Sequence, residues 1–448
     1  MKYSLKPKYH FFPITGWIND PNGLIYYKNK YHMFYQYNPS NPDWGPMHWG
    51  HAVSENMFNW NHLPVALYPD ETYKENDISG IFSGSAIEVN GDMVLMYTQF
   101  FDPKCYENHQ KEQQCIAFSS NGKDFEKFSK NPVISLPPEE SYHDFRDPKI
   151  FKGEDGNFYS VLGSGDNNIG KILLYSSEDL KKWKFENVLF EMDKEDCEPI
   201  LECPDFFKLE EKWILIFSGG FLTEGARKNY YIIGNFRDKK FYPEYNGELD
   251  LGNDIYASQT FKDNKGRRII IGWVHTPERY NYTKDEGWAG IMSIPRRLSI
   301  KNNKIYQEPV REIENYISDF KLKEKDHIIS VKECENSLLI EVENINENAS
   351  LILKNSRDSL IFNFSKRDIE ITENRNKKRE YREFYHLYSD INTAKVYIDK
   401  SSMEIFINSG EYVCTWRIYP QDNYKDLKYE NLSDFDIKIS KVNTSFYL

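Results

Sequence analysis

A strand–turn–strand pattern that recurs five times constrains this chain more than any other feature of its sequence. Each copy has an apolar run, a polar turn and a second apolar run, which is the pattern of a β-hairpin. The copies occupy residues 21–35, 84–97, 148–161, 204–216 and 258–271. They begin 63, 64, 56 and 54 residues apart. An internal period this regular indicates repeated structural units.

A second repeated phrase follows four of the hairpins. A small or polar residue precedes an aromatic one by six positions, as in Ser54 and Trp60. The other pairs are Ser119 and Phe125, Ser177 and Trp183, and Asn235 and Phe241. This spacing predicts a third strand, a turn and a fourth strand. Four strands repeated five times predict an all-β chain whose residues 1–305 form a five-bladed β-propeller. A sandwich would also supply many strands, but it would not need the period.

The repeat stops near residue 300. Residues 306–317 are predicted to form a linker, and residues 318–448 alternate between apolar and polar positions in short runs separated by turn residues. That pattern predicts a second domain, a β-sandwich. The charged tract at residues 367–382 is interpreted as a solvated loop or sheet edge.

Three acidic residues fall at matching places in the repeats. Asp20 and Asp147 directly precede the first and third hairpins, and Glu202 lies two residues before the fourth. The first strand of a propeller blade lines the central axis, so these side chains are expected to converge. Each acid also lies within two positions of a proline, where a turn-capping role is the ordinary alternative. Three acids at equivalent positions favour a shared site.

Converging carboxylates suit the cleavage of a glycosidic bond, which needs a nucleophile and a proton donor. Asp20 adjoins Asn19 and Asn22, which can hydrogen-bond an ionised carboxylate, so it is assigned as the nucleophile. Glu202 precedes the apolar Phe206 and Phe207, which favours a proton donor. Asp147 adjoins Arg146, which is expected to keep it ionised as a stabilising group.

A series of motifs resembles glycoside hydrolase family 32, the invertases and fructan-cleaving β-fructofuranosidases. The motifs are WINDPNG (17–23), QYNP (36–39), WGPMHWGHAVS (44–54), FSGS (82–85), RDP (146–148), ECP (202–204), GW (272–273), MSIPR (292–296) and DKSSMEIFIN (399–408). They cover nearly the whole chain in the order typical of the family. The only departure noticed is Ile18, where Met or Leu is more usual.

The resemblance implies a propeller followed by a sandwich, retention of configuration and a covalent fructosyl-enzyme intermediate. It also implies that Asp20 is the nucleophile, Asp147 the transition-state stabiliser and Glu202 the acid/base. The fructose-binding positions that match the family are Asn19, Gln36, Trp44, Phe82, Ser83, Arg146 and Trp273. Tyr256 is added because it opens the fifth repeat.

Composition excludes some functions. A net charge of −12 argues against nucleic-acid binding, and no apolar stretch is long enough to predict a membrane span. Residues 1–7 lack the apolar run of a secretory signal, and six scattered cysteines fit reduced thiols, so a cytoplasmic location is expected. No metal or cofactor is predicted. His48 and His51 have no third ligand at metal spacing, and residues 165–171 match a phosphate-binding loop only in part.

The sequence therefore predicts a retaining β-fructofuranosidase acting on a small sugar. Sucrose, sucrose 6-phosphate and short fructans stay open as substrates, and a phosphorylated substrate would need a basic residue at the outer pocket. A non-catalytic fructan-binding propeller is the alternative from another class. A homo-oligomer is possible, and the sequence does not decide it.

Overall fold

The structure is a computed structural model, and it describes residues 3–69, 77–107, 109–141, 144–165, 169–193, 200–220, 227–276, 279–319, 324–325, 327–345, 348–433 and 436–443. Within these residues the chain is built from β-strands joined by turns. Its helical segments there are short 3₁₀ turns at Tyr282–Glu286, Arg311–Tyr316 and Lys332–Cys334.

The first 22 described strands form five separate, mainly antiparallel sheets that follow one another along the chain. Blade one has β1 (Gly16–Tyr27), β2 (Lys30–Asn38), β3 (His48–Ser54) and β4 (Trp60–Leu67). Blade two has β5 (Gly80–Val89), β6 (Asp92–Phe100), β7 (Glu112–Ser119) and β8 (Glu126–Lys127). Blade three has β9 (Asp144–Lys152), β10 (Phe158–Gly165), β11 (Ile169–Ser177) and β12 (Lys184–Asp193). Blade four has β13 (Glu202–Leu209), β14 (Lys212–Gly220), β15 (Arg227–Arg237) and β16 (Lys240–Glu248). Blade five has β17 (Ile255–Lys262), β18 (Arg268–Val274), β20 (Ile291–Met292), β21 (Arg296–Lys301) and β22 (Lys304–Pro309).

The first strands of the blades form a closed ring. β1 contacts β5, β5 contacts β9, β9 contacts β13, β13 contacts β17, and β17 contacts β1. The ring is sealed where β19 (Trp288–Ala289), which follows β18, pairs in parallel with β1 through Gly16 and Trp288. This closure confirms the predicted five-bladed propeller.

The apolar core of the propeller lies between neighbouring blades. Leu174 of blade three packs with Phe206 and Leu215 of blade four, and Ile216 of blade four packs with Ile270 and Leu298 of blade five. These residues come from the alternating apolar positions of the hairpins, which explains why each blade is stable only beside the next.

Two further sheets form the predicted β-sandwich. The six-stranded sheet has the order β23 (Ile317–Asp319), β35 (Ile437–Val442), β26 (Ser337–Val342), β31 (Ala394–Asp399), β32 (Ser402–Ile407) and β33 (Tyr412–Arg417). The seven-stranded sheet has the order β24 (Glu324–Lys325), β25 (Ile328–Ser330), β34 (Asp426–Glu430), β27 (Ala349–Lys354), β28 (Ser359–Phe364), β29 (Asp368–Arg375) and β30 (Lys378–His386). The charged tract thus contributes β29 and the edge strand β30.

The predicted domain boundary at residue 305 falls inside a strand. β22 pairs with β21 from Lys304 to Pro309, so the ladder of blade five extends four residues into the segment predicted to be a linker. A 3₁₀ turn, Arg311–Tyr316, and then β23 follow. The division into residues 1–305, 306–317 and 318–448 stays a prediction, and the hydrogen-bonded ladder places the end of the propeller strand at Pro309.

A buried ionic network joins the N-terminal segment, the propeller and the sandwich. The backbone N–H groups of Lys8, Tyr9 and His10 all donate to the carboxylate of Asp399, at 2.7, 2.9 and 3.0 Å. The His10 ring lies 2.9 Å from both Asp399 and Glu404. Arg296 of the propeller also binds Glu404, through Nη2 at 2.6 Å. These contacts fix the sandwich against the propeller.

Candidate active site

All eleven residues that the sequence predicted for the site line one pocket of about 700 Å³. They are Asn19, Asp20, Gln36, Trp44, Phe82, Ser83, Arg146, Asp147, Glu202, Tyr256 and Trp273. The pocket lies where the inner strands of the blades begin. The prediction that these residues meet in space is therefore confirmed, whereas their individual roles stay predictions.

A β-bulge in each inner strand explains why neighbouring residues face the same pocket. Side chains of a regular strand alternate between its two sides, yet Asp20 lines the pocket beside Asn19, and Asp147 lines it beside Arg146. The ladders show register shifts at these places in all five inner hairpins. A bulge re-aims a side chain in this way, often next to an active site.

The left-handed backbone at three of these bulges marks the same position in successive blades. Asp147, Cys203 and Ala257 have φ values of 62°, 49° and 52°. Non-glycine residues rarely adopt this conformation, and when they do so repeatedly it is usually at functional sites. Two of these three residues, Asp147 and Cys203, line the pocket.

Asp20 is held by donors from two other blades. It accepts hydrogen bonds from Oγ of Ser83 at 2.5 Å and from Nδ2 of Asn19 at 3.0 Å, and Sγ of Cys203 lies 3.4 Å from its Oδ2. Burial raises the pKa of Asp20, and the hydrogen bonds from Ser83 and Asn19 oppose that rise. The expected hydrogen bond from Asn22 is wrong, because Oδ1 of Asn22 instead accepts the N–H of Gly84 at 3.3 Å.

Asp147 lies deeper than the sequence suggested. Its side chain is 7% exposed, and it accepts the N–H of Cys203 at 2.9 Å. Burial raises the pKa of Asp147 to about 7, although Arg146 lowers it in part. The expectation that Arg146 keeps Asp147 ionised is therefore wrong. Burial raises the pKa of Asp147 more than the Arg146 guanidinium lowers it. Nε of Arg146 lies 4.0 Å from the Asp147 carboxylate.

Arg146 and Tyr256 hold Glu202 instead. Nη2 of Arg146 donates to Oε1 of Glu202 at 2.9 Å, and the Tyr256 hydroxyl donates to Oε2 at 2.5 Å. The Glu202 side chain is 21% exposed, so it lies nearer to the mouth of the pocket than Asp147 does. The apolar surroundings predicted from Phe206 and Phe207 are absent around it, because those rings are buried in the core beside blades three and five.

Aromatic rings form the walls of the pocket. Phe82 stacks on Phe100 with centroids 4.3 Å apart, and Trp273 stacks on His275 at 3.7 Å. Trp44 is 45% exposed at the rim, with its ring edge toward Phe82. Such faces pack against the C–H surface of a sugar ring. Gln36 is buried and its Nε2 donates to the carbonyl of Ile81 at 2.9 Å.

Sequence reasoning missed five residues that line the pocket. They are Phe100, Lys111, Glu112, Asp144 and His275. Nη1 of Arg146 donates to Glu112 at 3.0 Å and to Asp144 at 2.6 Å. Asp144 lies two residues before Arg146, so its position at the start of the third repeat could have found it. Glu112 comes from the third strand of its blade, and no motif pointed to it.

Cys203 is a neutral side chain in the acid cluster. Burial raises the pKa of its thiol well above the usual value, and the neighbouring carboxylates raise it further. A thiol in that state is a poor nucleophile. Cys334 and Cys414 are also free thiols, and Cys197 lies outside the described residues.

One group outside the pocket could in principle ligate a metal. Asp77, Asp102 and Cys105 bring potential ligand atoms within 4.8 Å of one another. His51 packs instead against His32, with Nε2 of the first 3.1 Å from Nδ1 of the second. The segment that partly matches a phosphate-binding loop, residues 165–171, joins strands β10 and β11, and residues 166–168 lie outside the described chain. Among the helices that the structure describes, none is long and apolar enough to cross a membrane.

Comparison with known proteins gives the same picture over the whole chain. Residues 10–309 match the glycosyl hydrolases family 32 N-terminal domain, and residues 306–444 match the family 32 C-terminal domain. The sucrose-6-phosphate hydrolase of Escherichia coli is 38% identical over 94% of this chain and 91% of its own length.

Two solved structures are similar in fold. One is a mutant of the Bombyx mori GH32 beta-fructofuranosidase in complex with sucrose, with a TM-score of 0.84 and 31% identity over 99% of this chain and 95% of that one. The other is the sucrose-6-phosphate hydrolase of Lactobacillus gasseri, with a TM-score of 0.85 and 29% identity over 98% and 94% of the two chains. The two family domains together span the propeller and the sandwich, and the chain belongs to glycosyl hydrolase family 32.

Proposed function

We propose that this enzyme is a retaining β-fructofuranosidase that hydrolyses the terminal β-D-fructofuranoside bond of sucrose. The observation that carries the proposal is the meeting of Asp20, Asp147 and Glu202 in one aromatic-walled pocket. Retaining glycosidases use one carboxylate as a nucleophile and a second as an acid and then a base. The pocket supplies both, with a third acid beside them.

Asp20 is the proposed nucleophile. Its carboxylate lies at the pocket floor, with Oδ2 fixed by Ser83 and Oδ1 fixed by Asn19. Oδ1 of Asn19 in turn accepts the indole N–H of Trp17 at 3.0 Å, so the amide cannot turn over without losing a hydrogen bond. A carboxylate with few rotational choices keeps the short approach to the anomeric carbon that bond formation requires.

Glu202 is the proposed acid/base. Its side chain is more exposed than that of Asp147, which supports a position from which it would protonate a departing leaving group and activate an entering water. The hydrogen bonds from Arg146 and Tyr256 fix both of its oxygens. The orientation of the carboxyl group is therefore set before substrate binds, which favours proton transfer in both steps.

Asp147 is the proposed stabiliser of the transition state. The fructosyl ring becomes positively charged as the glycosidic bond breaks. A buried, ionised carboxylate below that ring stabilises the charge more strongly than it would in water. In the same proposal, Asn19, Gln36, Trp44, Phe82, Ser83, Arg146, Tyr256 and Trp273 bind the fructose unit and the start of the leaving group.

The charges of the pocket favour an uncharged substrate. Among the residues that the structure describes, five carboxylates line it, from Asp20, Glu112, Asp144, Asp147 and Glu202, against the cations of Lys111 and Arg146. Lys111 is the basic residue that a phosphorylated substrate would need, but its Nζ already binds Asp144 at 2.9 Å. A phosphate brought here would face an excess of negative charge. We therefore place sucrose ahead of sucrose 6-phosphate.

The names of similar proteins support a small β-fructofuranoside and leave its phosphorylation to experiment. The E. coli relative is a sucrose-6-phosphate hydrolase, and the Bombyx mori enzyme was solved with sucrose. Short fructans are the alternative substrates, because their terminal fructose would bind at the same position in the pocket as the fructose unit of sucrose. No cofactor enters the proposed reaction.

The test compares sucrose, sucrose 6-phosphate and inulin with one enzyme preparation under one buffer condition, measuring fructose release. We expect kcat/KM to be highest for sucrose. Asp20→Asn is the control, because it preserves the shape of the carboxyl group and removes the proposed nucleophile. A higher kcat/KM for sucrose 6-phosphate would overturn the order of substrates but not the reaction.

A non-catalytic fructan-binding propeller would give a different result. Wild-type protein would then bind sucrose or inulin in calorimetry without releasing fructose. Asp20→Asn would release no less fructose than wild type. Binding alone does not need three acids, which is why hydrolysis is preferred. A cytoplasmic location and a homo-oligomer stay predictions from the sequence.

A further inference from the structure

A second pocket lies at the opposite ends of the inner strands. It has a volume of about 460 Å³, and blades three, four and five line it with the turns that follow β9, β13 and β17. Asp147 and Lys152 are five residues apart on β9, as are Cys203 and Lys208 on β13. At about 3.3 Å per residue, the two pockets are on the order of 17 Å apart.

Three lysines occupy equivalent positions around this second pocket. Lys152, Lys208 and Lys262 each lie five residues after the bulge residue of their inner strand, which is Asp147, Cys203 or Ala257. The pseudo-symmetry of the propeller therefore brings one lysine from each of three successive blades to the lining of this pocket, and Nζ of the exposed Lys152 lies 5.8 Å from the centroid of the Phe158 ring. This local excess is unusual in a chain whose net charge is −12.

Arg268 adds a fourth cation, half-buried in the same pocket. Its guanidinium lies over the ring of Phe207, 4.4 Å from the centroid, and Nη1 is 3.5 Å from Oγ1 of Thr260. Burial lowers the pKa of Arg268 below its usual value. An anion beside it would offset the hydration that the guanidinium has lost.

The cations are only partly neutralised within the described chain. Lys208 pairs with Glu154 at 2.9 Å. No carboxylate of the described residues lies within 4.0 Å of the Lys152, Lys262 or Arg268 side-chain nitrogens. Glu210, the other acid of the pocket, accepts the N–H of Ile300 at 3.3 Å. The pocket therefore has spare hydrogen-bond donors and positive charge.

Aromatic rings form the apolar side of the pocket. Phe151 and Trp213 are half-buried there, and Trp213 is supported from behind by Phe206, with ring centroids 4.7 Å apart. A fixed ring of this kind offers a flat surface to the C–H face of a sugar. Cations beside a flat apolar wall suit a ligand that has both an anionic group and a carbon ring.

We propose that this pocket binds a phosphate monoester, with the phosphate between Arg268 and the lysines 152 and 262. The carbon skeleton would lie against Trp213, which makes a hexose phosphate the favoured source and inorganic phosphate the other. Guanidinium and ammonium groups recognise phosphate through charge-assisted hydrogen bonds. The site is separate from the hydrolytic pocket and does not depend on the proposed reaction.

Isothermal titration calorimetry at constant ionic strength tests the proposal, with fructose 6-phosphate and inorganic phosphate as separate probes. We expect fructose 6-phosphate to bind, and Lys152→Gln/Lys262→Gln and Arg268→Gln each to weaken it about tenfold or more, the effect of losing about 1.4 kcal/mol. Lys240→Gln/Lys301→Gln is the matched control, because it removes two exposed lysines outside the pocket. The control should bind like wild type.

The two probes separate the sources of the phosphate. Tighter binding of fructose 6-phosphate supports the hexose phosphate, whereas equal binding of both supports recognition of the phosphate alone at the same site. The double lysine variant guards against misfolding of Arg268→Gln, since both of its lysines are exposed. The proposal is overturned if neither probe binds, or if the lysine variant binds like wild type. The latter result would place the anion elsewhere, including the hydrolytic pocket.

Discussion

Nη2 of Arg146 donates to Oε1 of Glu202 across 2.9 Å and so links blade three to blade four inside the pocket. The same guanidinium binds Glu112 and Asp144 through Nη1. One cation therefore organises three carboxylates from three blades. Its sequence neighbour Asp147 is farther away than any of them, with Oδ2 4.0 Å from Nε of Arg146.

The proposed division of labour between the acids predicts different losses with different leaving groups. Glu202→Ala should lower kcat/KM for sucrose by about 10²–10⁴-fold, the usual worth of general acid–base catalysis. It should lower kcat/KM much less for an aryl β-fructofuranoside, whose leaving group needs no proton. Asp20→Ala should abolish both reactions. Equal losses for the two substrates in both variants would contradict the assignment.

Removing the hydroxyl of Tyr256 should weaken catalysis without unfolding the pocket. Tyr256→Phe deletes the 2.5 Å hydrogen bond to Glu202 and leaves the ring in place. We expect kcat to fall about tenfold, because a hydrogen bond to a charged group contributes roughly 1.5–3 kcal/mol. Steady-state kinetics on sucrose measures the change. Tyr245→Phe, on the exposed outer strand of blade four, is the control. An equal fall in kcat for Tyr245→Phe would contradict the prediction.

The burial of Asp147 predicts a pH dependence. Its pKa is raised to about 7, so the carboxylate is protonated in much of the free enzyme below that pH. The ionised form is the one that stabilises positive charge, so kcat/KM for sucrose should rise as the pH increases through about 7. The value of kcat/KM reports groups of the free enzyme. Asp147→Asn should lose this rise in its residual activity, and an unchanged rise would assign it to another group.

The His10 ring predicts a stability that falls at alkaline pH. Burial lowers its pKa, but hydrogen bonds to Asp399 and Glu404 outweigh burial and raise the pKa to about 9. Since the unfolded value is lower, this contribution to the free energy of unfolding is complete below about pH 6.5 and is lost as pH rises through 9. The difference corresponds to roughly 3 kcal/mol.

Urea unfolding at pH 6, 8 and 9.5 checks the His10 prediction. His10→Gln keeps hydrogen-bonding groups but cannot titrate, so its unfolding free energy should change less over this range than that of wild type. His386→Gln is the matched control, because His386 pairs with Asp368 at the surface. Parallel curves for wild type and His10→Gln would show that the ring carries no proton in the folded state.

Gly290 predicts a long-range effect of one methyl group. Gly290 has a φ of +85°. A Cβ added to it would lie 2.1 Å from the carbonyl oxygen of Ile18 and 2.9 Å from Nε1 of Trp273. Gly290→Ala should therefore shift the strand that carries Asn19 and Asp20, and a displacement of about 1 Å can cost 10²-fold in rate. Gly156→Ala, at φ +88° with nothing within 4 Å of the Cβ, should keep full activity. Full activity in Gly290→Ala would refute the prediction.

Much of the fold was predictable because it repeats. The spacing of the hairpins and of pairs such as Ser54 and Trp60 reports strand order directly, and five copies make an accident improbable. The exact end of the propeller was not predictable. β22 belongs to blade five because it pairs with β21, and nothing in residues 304–309 alone marks them as the outer strand of a blade.

The members of the site were easier to predict than their surroundings. Asp20, Asp147 and Glu202 stand at equivalent places of the repeat, so symmetry alone brings them together. Which groups touch each acid depends on bulges and on strands from other blades. Asn22 follows Asp20 by two residues yet turns toward Gly84, while Glu112, from a strand that no motif marked, reaches Arg146.

The attachment of residues 8–10 to Asp399 has a consequence for biosynthesis. A ribosome releases the N-terminal segment first, and Asp399 follows Lys8 by 391 residues. Until then the backbone groups of Lys8, Tyr9 and His10 lack their acceptor, and the seam between blades one and five lacks its outer support. The N-terminal segment can therefore be fixed only after the propeller strands and β31 of the sandwich, which ends at Asp399, have been made.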